Sequence, residues 1–376
     1  MLGTVAERVA EYLTTTSVQT GASYGHSCRA SARLAEARAK IARFINAARP
    51  EEVVLGPSST MMMRLLATAM AHQFSPGDEV ILTLFDHESN IGPCLTLEER
   101  GVVFRFWGLD RDSLEIDLDA LQALLSPRTK LVCVTHASNI LGTTNPIPRI
   151  AEIVHAAGAK LCVDGVAHAP HRALDMQAFG ANFYVFSFYK TFGPHFACLY
   201  GRHDLLLDLD NLYHHFYGKA AVPAKLEPGN TNYELAWGCT GMVDYFDALG
   251  GGAGNHAVIR TAFADVTAQE DAIGERLLGW LRQRNGVRII GRLAMDGARV
   301  PTISFTVEGT RPERVVGSVD ADAIGIRHGD FHSRRLIETL GLAEHGGIVC
   351  VSMVHYNTVE EVDRLIGSLD RALGNG

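Results

Sequence analysis

Six short, continuously apolar segments separated by helical patterns constrain this chain more than any other feature. They run over 51–56 (EEVVLG), 77–83 (GDEVILT), 102–107 (VVFRFW), 130–136 (KLVCVTH), 160–165 (KLCVDG) and 183–188 (FYVFSF). Continuous rather than alternating hydrophobicity suits strands covered on both faces, as in a mainly parallel sheet. Helical stretches such as 58–73 and 147–157 supply the crossovers, giving repeated βα units. A seventh segment, 196–201 (FACLYG), follows the sixth after only Tyr189 to His195. That connection is too short for a parallel crossover, so this pair is expected to be antiparallel. The fold class predicted is α/β, with a mixed, mainly parallel seven-stranded sheet.

The last third changes character. From about 210 to 255 the pattern loosens, and Gly250, Gly251, Gly252 and Gly254 form a stop that neither follows a strand nor opens a helix as a dinucleotide fingerprint requires. A long helix over about 257–284 precedes strands at 287–291 and 301–307, a helix near 333–340, a strand at 347–354 and a closing helix at 359–373. Thr358 and Glu361 are spaced as a capping box for that last helix. A chain of 376 residues exceeds what one core usually holds. The expected division is a large domain over 15–245 and a small α+β domain over 246–376 that also takes in an amphipathic N-terminal helix over 1–14.

A formal net charge of −8 argues against nucleic-acid or anionic-membrane partners, which reward a basic face. No apolar run is long enough to span a bilayer and no signal-peptide pattern opens the chain, so a cytoplasmic location is expected. The seven cysteines include no CxxC pair and sit largely in apolar runs. They read as small buried hydrophobes rather than as disulfides or a metal site.

Ligands of open α/β sheets bind outside the carboxyl ends of the strands, and the residues there form an ordered series. The first strand ends in Gly56-Pro57-Ser58-Ser59-Thr60 before a helix, where amides and hydroxyls favour a phosphate, although such residues also serve as ordinary caps. The second leads to Asp86-His87-Glu88, whose imidazole could stack on a flat heteroaromatic ring and pass protons, a catalytic candidate beside Lys190. The fourth leads to Ser138-Asn139, whose amide could donate to a phenolate oxygen. The fifth ends in Asp164, a carboxylate costly to bury without a cation such as a protonated ring nitrogen. The sixth ends in Ser187-Phe188-Tyr189-Lys190. A lysine at such a strand end, partly desolvated, becomes able to form an imine.

The succession GPSST, DHESN, SNILGT, VDGVAHAPH, FSFYKTFGPHFACLYGR, PGNTN and HYNTVEEVDRL resembles the cysteine desulfurase, selenocysteine lyase and isopenicillin-N epimerase group of class V aminotransferases, over nearly the whole chain. The resemblance implies a fold-type I homodimer that holds pyridoxal 5'-phosphate between a large and a small domain, with the active sites at the subunit interface. It makes Lys190 the Schiff-base lysine and Asp164 the partner of the pyridine nitrogen. His87 would stack on the ring, Asn139 would reach its 3-oxygen, and Ser59, Thr60 and Ser187 would hold the phosphate. Asn230 or Thr231 would reach the phosphate of the neighbouring subunit's site.

Departures from the family pattern bear on the reaction. Where desulfurases read R-x-G-x-x-C, this chain reads Arg327-His328-Gly329-Asp330-Phe331-His332, and an imidazole at His332 cannot take up sulfur as a thiolate does. Tyr189 replaces a histidine before the lysine and could still bond phosphate. Ala167 replaces a glutamine, with His168 beside it. Cys350 stands at the place of the arginine that grips the substrate carboxylate. That loss makes His332, Arg327 and Cys350 the residues to examine for substrate binding. The family's usual opening strand, of the type LDNAA, is missing ahead of the first helix, which leaves a truncated start open. The expected function is a pyridoxal-phosphate lyase of the β-elimination type or an aminotransferase acting on an amino-acid-like amine, and not a persulfide-forming desulfurase. Epimerase or decarboxylase chemistry, or an inactive scaffold of the same fold, are the alternatives.

Overall fold

A computed structural model describes residues 1–374, so the final two residues of the expected C-terminal domain lie outside it. The chain opens with α1 (Gly3–Thr15) and α2 (Gly25–Phe44) and then alternates strand and helix: β1 (Val53–Gly56), α3 (Ser59–Ala69), β2 (Glu79–Thr83), α4 (Glu88–Leu95), β3 (Val103–Trp107), α5 (Leu118–Leu124), β4 (Thr129–Thr135), α6 (Ile147–Ala156), β5 (Lys160–Asp164), α7 (Met176–Phe179) and β6 (Phe183–Ser187). After β7 (Ala197–Gly201) come α8 (His203–Asp208), α9 (Tyr233–Leu249) and α10 (His256–Leu281). The remainder is β8 (Val287–Ile290), β9 (Thr302–Val307), α11 (Pro312–Asp320), β10 (Arg327–Gly329), α12 (Arg334–Thr339), β11 (Ile348–Ser352) and α13 (Val359–Leu373).

The first seven strands form one sheet in the order β1-β7-β6-β5-β4-β2-β3. As the short connection requires, β7 runs antiparallel to β6, and it is antiparallel to β1 as well. Both faces are covered. Val53 and Leu55 join one apolar cluster with Val132, Val163 and Phe186, while Val54 joins another with Leu82, Cys133 and Val185. The two-residue pleat thus delivers alternate side chains to opposite cores. β3 is the exception: it pairs only with β2 and leaves Val103 and Phe106 exposed, so its apolar run marks an edge rather than a buried centre.

A second, wholly antiparallel sheet in the order β10-β11-β9-β8 carries α10, α11 and α13 on one face through Leu277, Val315, Ile303, Val351 and Leu365. It docks on the loop after β4. Gly142 has φ +70°, and a Cβ there would lie 2.3 Å from Thr302 O. Ser304 Oγ donates to Ile140 O at 2.5 Å. This close approach sets β10 and β11 over the carboxyl ends of the large sheet.

Two expectations change. The stretch read as loosely patterned contains the 17-residue helix α9, and the glycines after it join α9 to α10. Helix α1, grouped above with the small domain, packs instead on α9 and the main core. Val5 is fully buried beside Ile41 and Phe246, Thr4 Oγ1 donates to Gly241 O, and Arg8 pairs with Asp244. The closing helix has the predicted capping box at Thr358 and Glu361.

Candidate active site

Strand ends and the first turns of helices converge on a cavity of about 720 Å³ between the large sheet and β10–β11. Ser59, Thr60, His87, Asn139, Asp164, Tyr189, Lys190, Arg327, His332 and Cys350 all line it. Ser58 caps α3 by accepting from Met61 N, which leaves the hydroxyls of Ser59 and Thr60 in the first helical turn, where an anion is favoured.

Asp164 closes β5 and is 3 % exposed. Its Oδ1 accepts from Val166 N at 2.9 Å, while Oδ2 has no hydrogen-bond partner among the described residues, and the residue lines the cavity. Burial pushes its pKa up to about 6; the Val166 bond and the nearby Lys190 oppose that shift only in part. The carboxyl makes no ion pair among the described residues. A protonated ring nitrogen would supply one.

Lys190 sits on a single 3-10 turn, Phe188–Thr191, directly after β6. The residue lines the cavity, and it is exposed rather than partly desolvated as expected. Tyr189 beside it is also exposed, edge-on to His195.

His87 caps α4. Its Nδ1 accepts from Ser89 N at 3.1 Å and meets Ser89 Oγ at 2.8 Å, so Nε2 carries the hydrogen of the neutral ring. Burial, with His332 and Lys190 nearby, lowers its pKa to about 4. At neutral pH it is an uncharged ring, suited to stacking. Behind it Asp86 is fully buried, held by Asn90 Nδ2 and Thr135 N, and burial raises it to about 7.

Asn139 serves two sides. Its Nδ2 donates to Phe331 O at 3.0 Å and its Oδ1 accepts from Ser333 Oγ at 2.9 Å, so it ties the 331–333 loop to the site and leaves one amide hydrogen without a partner among the described residues. That loop is tight: Phe331 and His332 have φ of +51° and +60°, and His332 O accepts from Glu88 N. Non-glycine residues rarely hold this region without surrounding support.

Two expected contacts, those of His168 and Ser187, fall elsewhere. His168 does not reach the cavity. After Gly165 the chain coils as a helical turn, with Ala169 N bonded to Gly165 O and Arg172 N to His168 O. Ala167 and His171, four apart, therefore share the cavity side, while His168 turns inward and stacks on His136 at 3.5 Å and 8°. Ser187 is fully buried, and its hydroxyl has no partner. Asn230 and Thr231, expected at the site of a second subunit, line a neighbouring hollow with Met61 and His195. Sequence reasoning passed over His171, which lines the cavity with Nδ1 2.9 Å from Glu270 Oε1. The partner is 99 residues away, so no local motif could signal it.

An open carboxylate oxygen, an amine, a neutral imidazole and hydroxyls at a helix start, set at the strand ends of a sheet with one reversed strand, define the architecture of fold-type I pyridoxal-phosphate enzymes. The aminotransferase class-V family model matches residues 2–365, and the chain belongs to that family, whose members depend on pyridoxal phosphate. Among curated relatives, the aminotransferase-like protein FGM3 of Gibberella zeae is 42% identical over 99% of this chain and 92% of its own length. The cysteine desulfurase-like protein ustD of Aspergillus flavus is 33% identical over 89% of this chain and 76% of its own. The nonribosomal peptide synthetase-like enzyme fsqF of Aspergillus fumigatus is 34% identical, but this chain spans only 24% of it. In fold, a cysteine desulfurase from Thermococcus onnurineus NA1 aligns with a TM-score of 0.88 at 24% identity, covering 98% of this chain and 91% of that one.

Proposed function

We propose that this chain is a cytoplasmic, homodimeric lyase of the β-elimination type that acts on an amino-acid-like amine, with its site between a large unit over 15–245 and a small one from 246 onward. The observation that carries this reading is that Lys190 and the open oxygen of Asp164 face one cavity beside the neutral ring of His87. Bound pyridoxal phosphate would supply an electron sink for the pair released at the substrate's α-carbon. Asp164 would hold a proton on the ring nitrogen, and His87 would cover the ring face. Ser59 and Thr60 would take the phosphate, helped by Asn230 or Thr231 of a second subunit. Lys190 would move the α-proton.

Sulfur transfer is not part of this proposal. The loop position where desulfurases carry their thiol is His332. Cys350, the one cysteine lining the cavity, is buried, and that burial raises its thiol pKa and keeps it protonated. Arg327 lines the cavity without an ion-pair partner among the described residues and would take the substrate carboxylate. Its strand pairs it with Cys350. Amino-group transfer is the second reading, favoured by the aminotransferase-like relative.

Purified protein incubated with pyridoxal phosphate should show a near-visible absorption band that borohydride bleaches, and Lys190→Ala should lose it. A Lys190→Ala protein that keeps a bleachable band would remove the assignment.

A further inference from the structure

Four histidines line the cavity, His87, His171, His328 and His332, and among the described residues His171 alone of these has a carboxylate against its ring. Glu270, on α10, is fully buried, and its second oxygen accepts from Arg172 Nη1 at 3.1 Å. Held from two sides, it cannot swing away from His171. Facing a carboxylate at 2.9 Å, Nδ1 must carry a hydrogen, which makes Nε2 the basic atom of the neutral ring. Nε2 has no hydrogen-bond partner among the described residues and is not among the sealed, unpartnered atoms, and the residue lines the cavity. A carboxylate that orients one imidazole nitrogen while the other faces a reaction space is an acid–base arrangement.

We propose that His171 is a second catalytic acid–base residue of this cavity, acting on the substrate's leaving group, with Glu270 as its positioning residue. The proposal rests on the elimination reading above. In the step assigned to it, the free amine of Lys190 takes the α-proton. The pair left on the α-carbon becomes the second bond to the β-carbon, and the bond from that carbon to the leaving group breaks with its electrons on the leaving group. Protonated His171 gives its Nε2 hydrogen to that group. The ring then regains a proton from solvent as Lys190 releases its own, so charge is conserved over the cycle.

Asparagine separates the two nitrogens: His171→Asn sets an amide near Nδ1, keeps the Glu270 contact and removes Nε2. The probes are β-chloro-L-alanine, whose chloride leaves unprotonated, and L-serine, whose hydroxide does not, with pyruvate release measured on the holoenzyme. Wild type should release pyruvate from both. His171→Asn should lower the L-serine rate relative to the chloroalanine rate by about 100-fold, with an unchanged melting temperature and absorption band. Glu270→Gln should move the ratio the same way by a smaller factor, which keeps the test decisive if the asparagine variant does not fold. An unchanged ratio, equal loss of both rates, wild type that expels chloride only, or a ratio that follows His332→Asn instead would each overturn the proposal. Pyruvate from neither probe would remove the elimination reading and the leaving-group step with it, while a retained band would leave the cofactor assignment standing.

Discussion

Asp164 shows how a single group can be shaped for an occupant. Its carboxyl is raised from an ordinary value near 3.8 to about 6 because burial removes water and one backbone amide returns little. A raised folded value means that the folded protein holds this proton more tightly than the unfolded chain does. The resulting stability is fully present below about pH 4 and is lost by about pH 6, so above that the ionised group is a burden on the cofactor-free fold. Asp164→Asn keeps an acceptor for Val166 N and removes the charge. It should raise the melting temperature of cofactor-free protein at pH 7–8, worth on the order of 3 kcal/mol, with the gain fading toward pH 4. Melts of both proteins across that range check it, and a gain independent of pH would contradict the cause given. The residues that flank this carboxylate were unequally legible. Lys190 and His87 could be read because each follows a strand end, where ligands sit. His168 was misplaced because one residue along a helical turn rotates a side chain by about 100°, enough to exchange cavity for core.

At the scale of elements, the strands read well because burial on both faces writes itself as continuous apolar runs, as in β4 and β6. Helix α9 did not, because its interior carries Gly238 and Gly241, both poor helix formers. Their reason is tertiary: a Cβ on Gly241 would lie 2.6 Å from Thr4 O, so the glycines let α1 lie against α9. Contact with α1 overrides local propensity, and neither segment reveals it alone. The end of the chain is the opposite case, since the capping box of α13 is entirely local. Thr358→Ala removes the side-chain acceptor for Glu361 N and should cost about 1 kcal/mol, measured as a shifted denaturant midpoint with unchanged slope.

For the whole molecule, Asn230 and Thr231 are the telling pair. They do not line their own chain's cavity, in keeping with the proposal that they complete the site of a second copy. Mixing Lys190→Ala protein with a doubly substituted Asn230→Ala, Thr231→Ala protein would then create heterodimers with one intact site. Activity should recover to roughly a quarter of wild type after subunit exchange, since half of the randomly paired dimers are mixed. Recovery no greater than the sum of the two parents would place both residues within their own subunit's function or outside it altogether.

The linear order of residues determined the sheet, the reversed seventh strand, the lysine–carboxylate pair and the family, because each is recorded locally, in a run of apolar residues or in the residue that ends one. Tertiary structure alone decided what faces what: Glu270 behind His171, the loop latch at Asn139, the seat of α1 and the inward turn of His168. These contacts join positions far apart in the chain or depend on the rotation of a single turn, and periodicity carries no record of either.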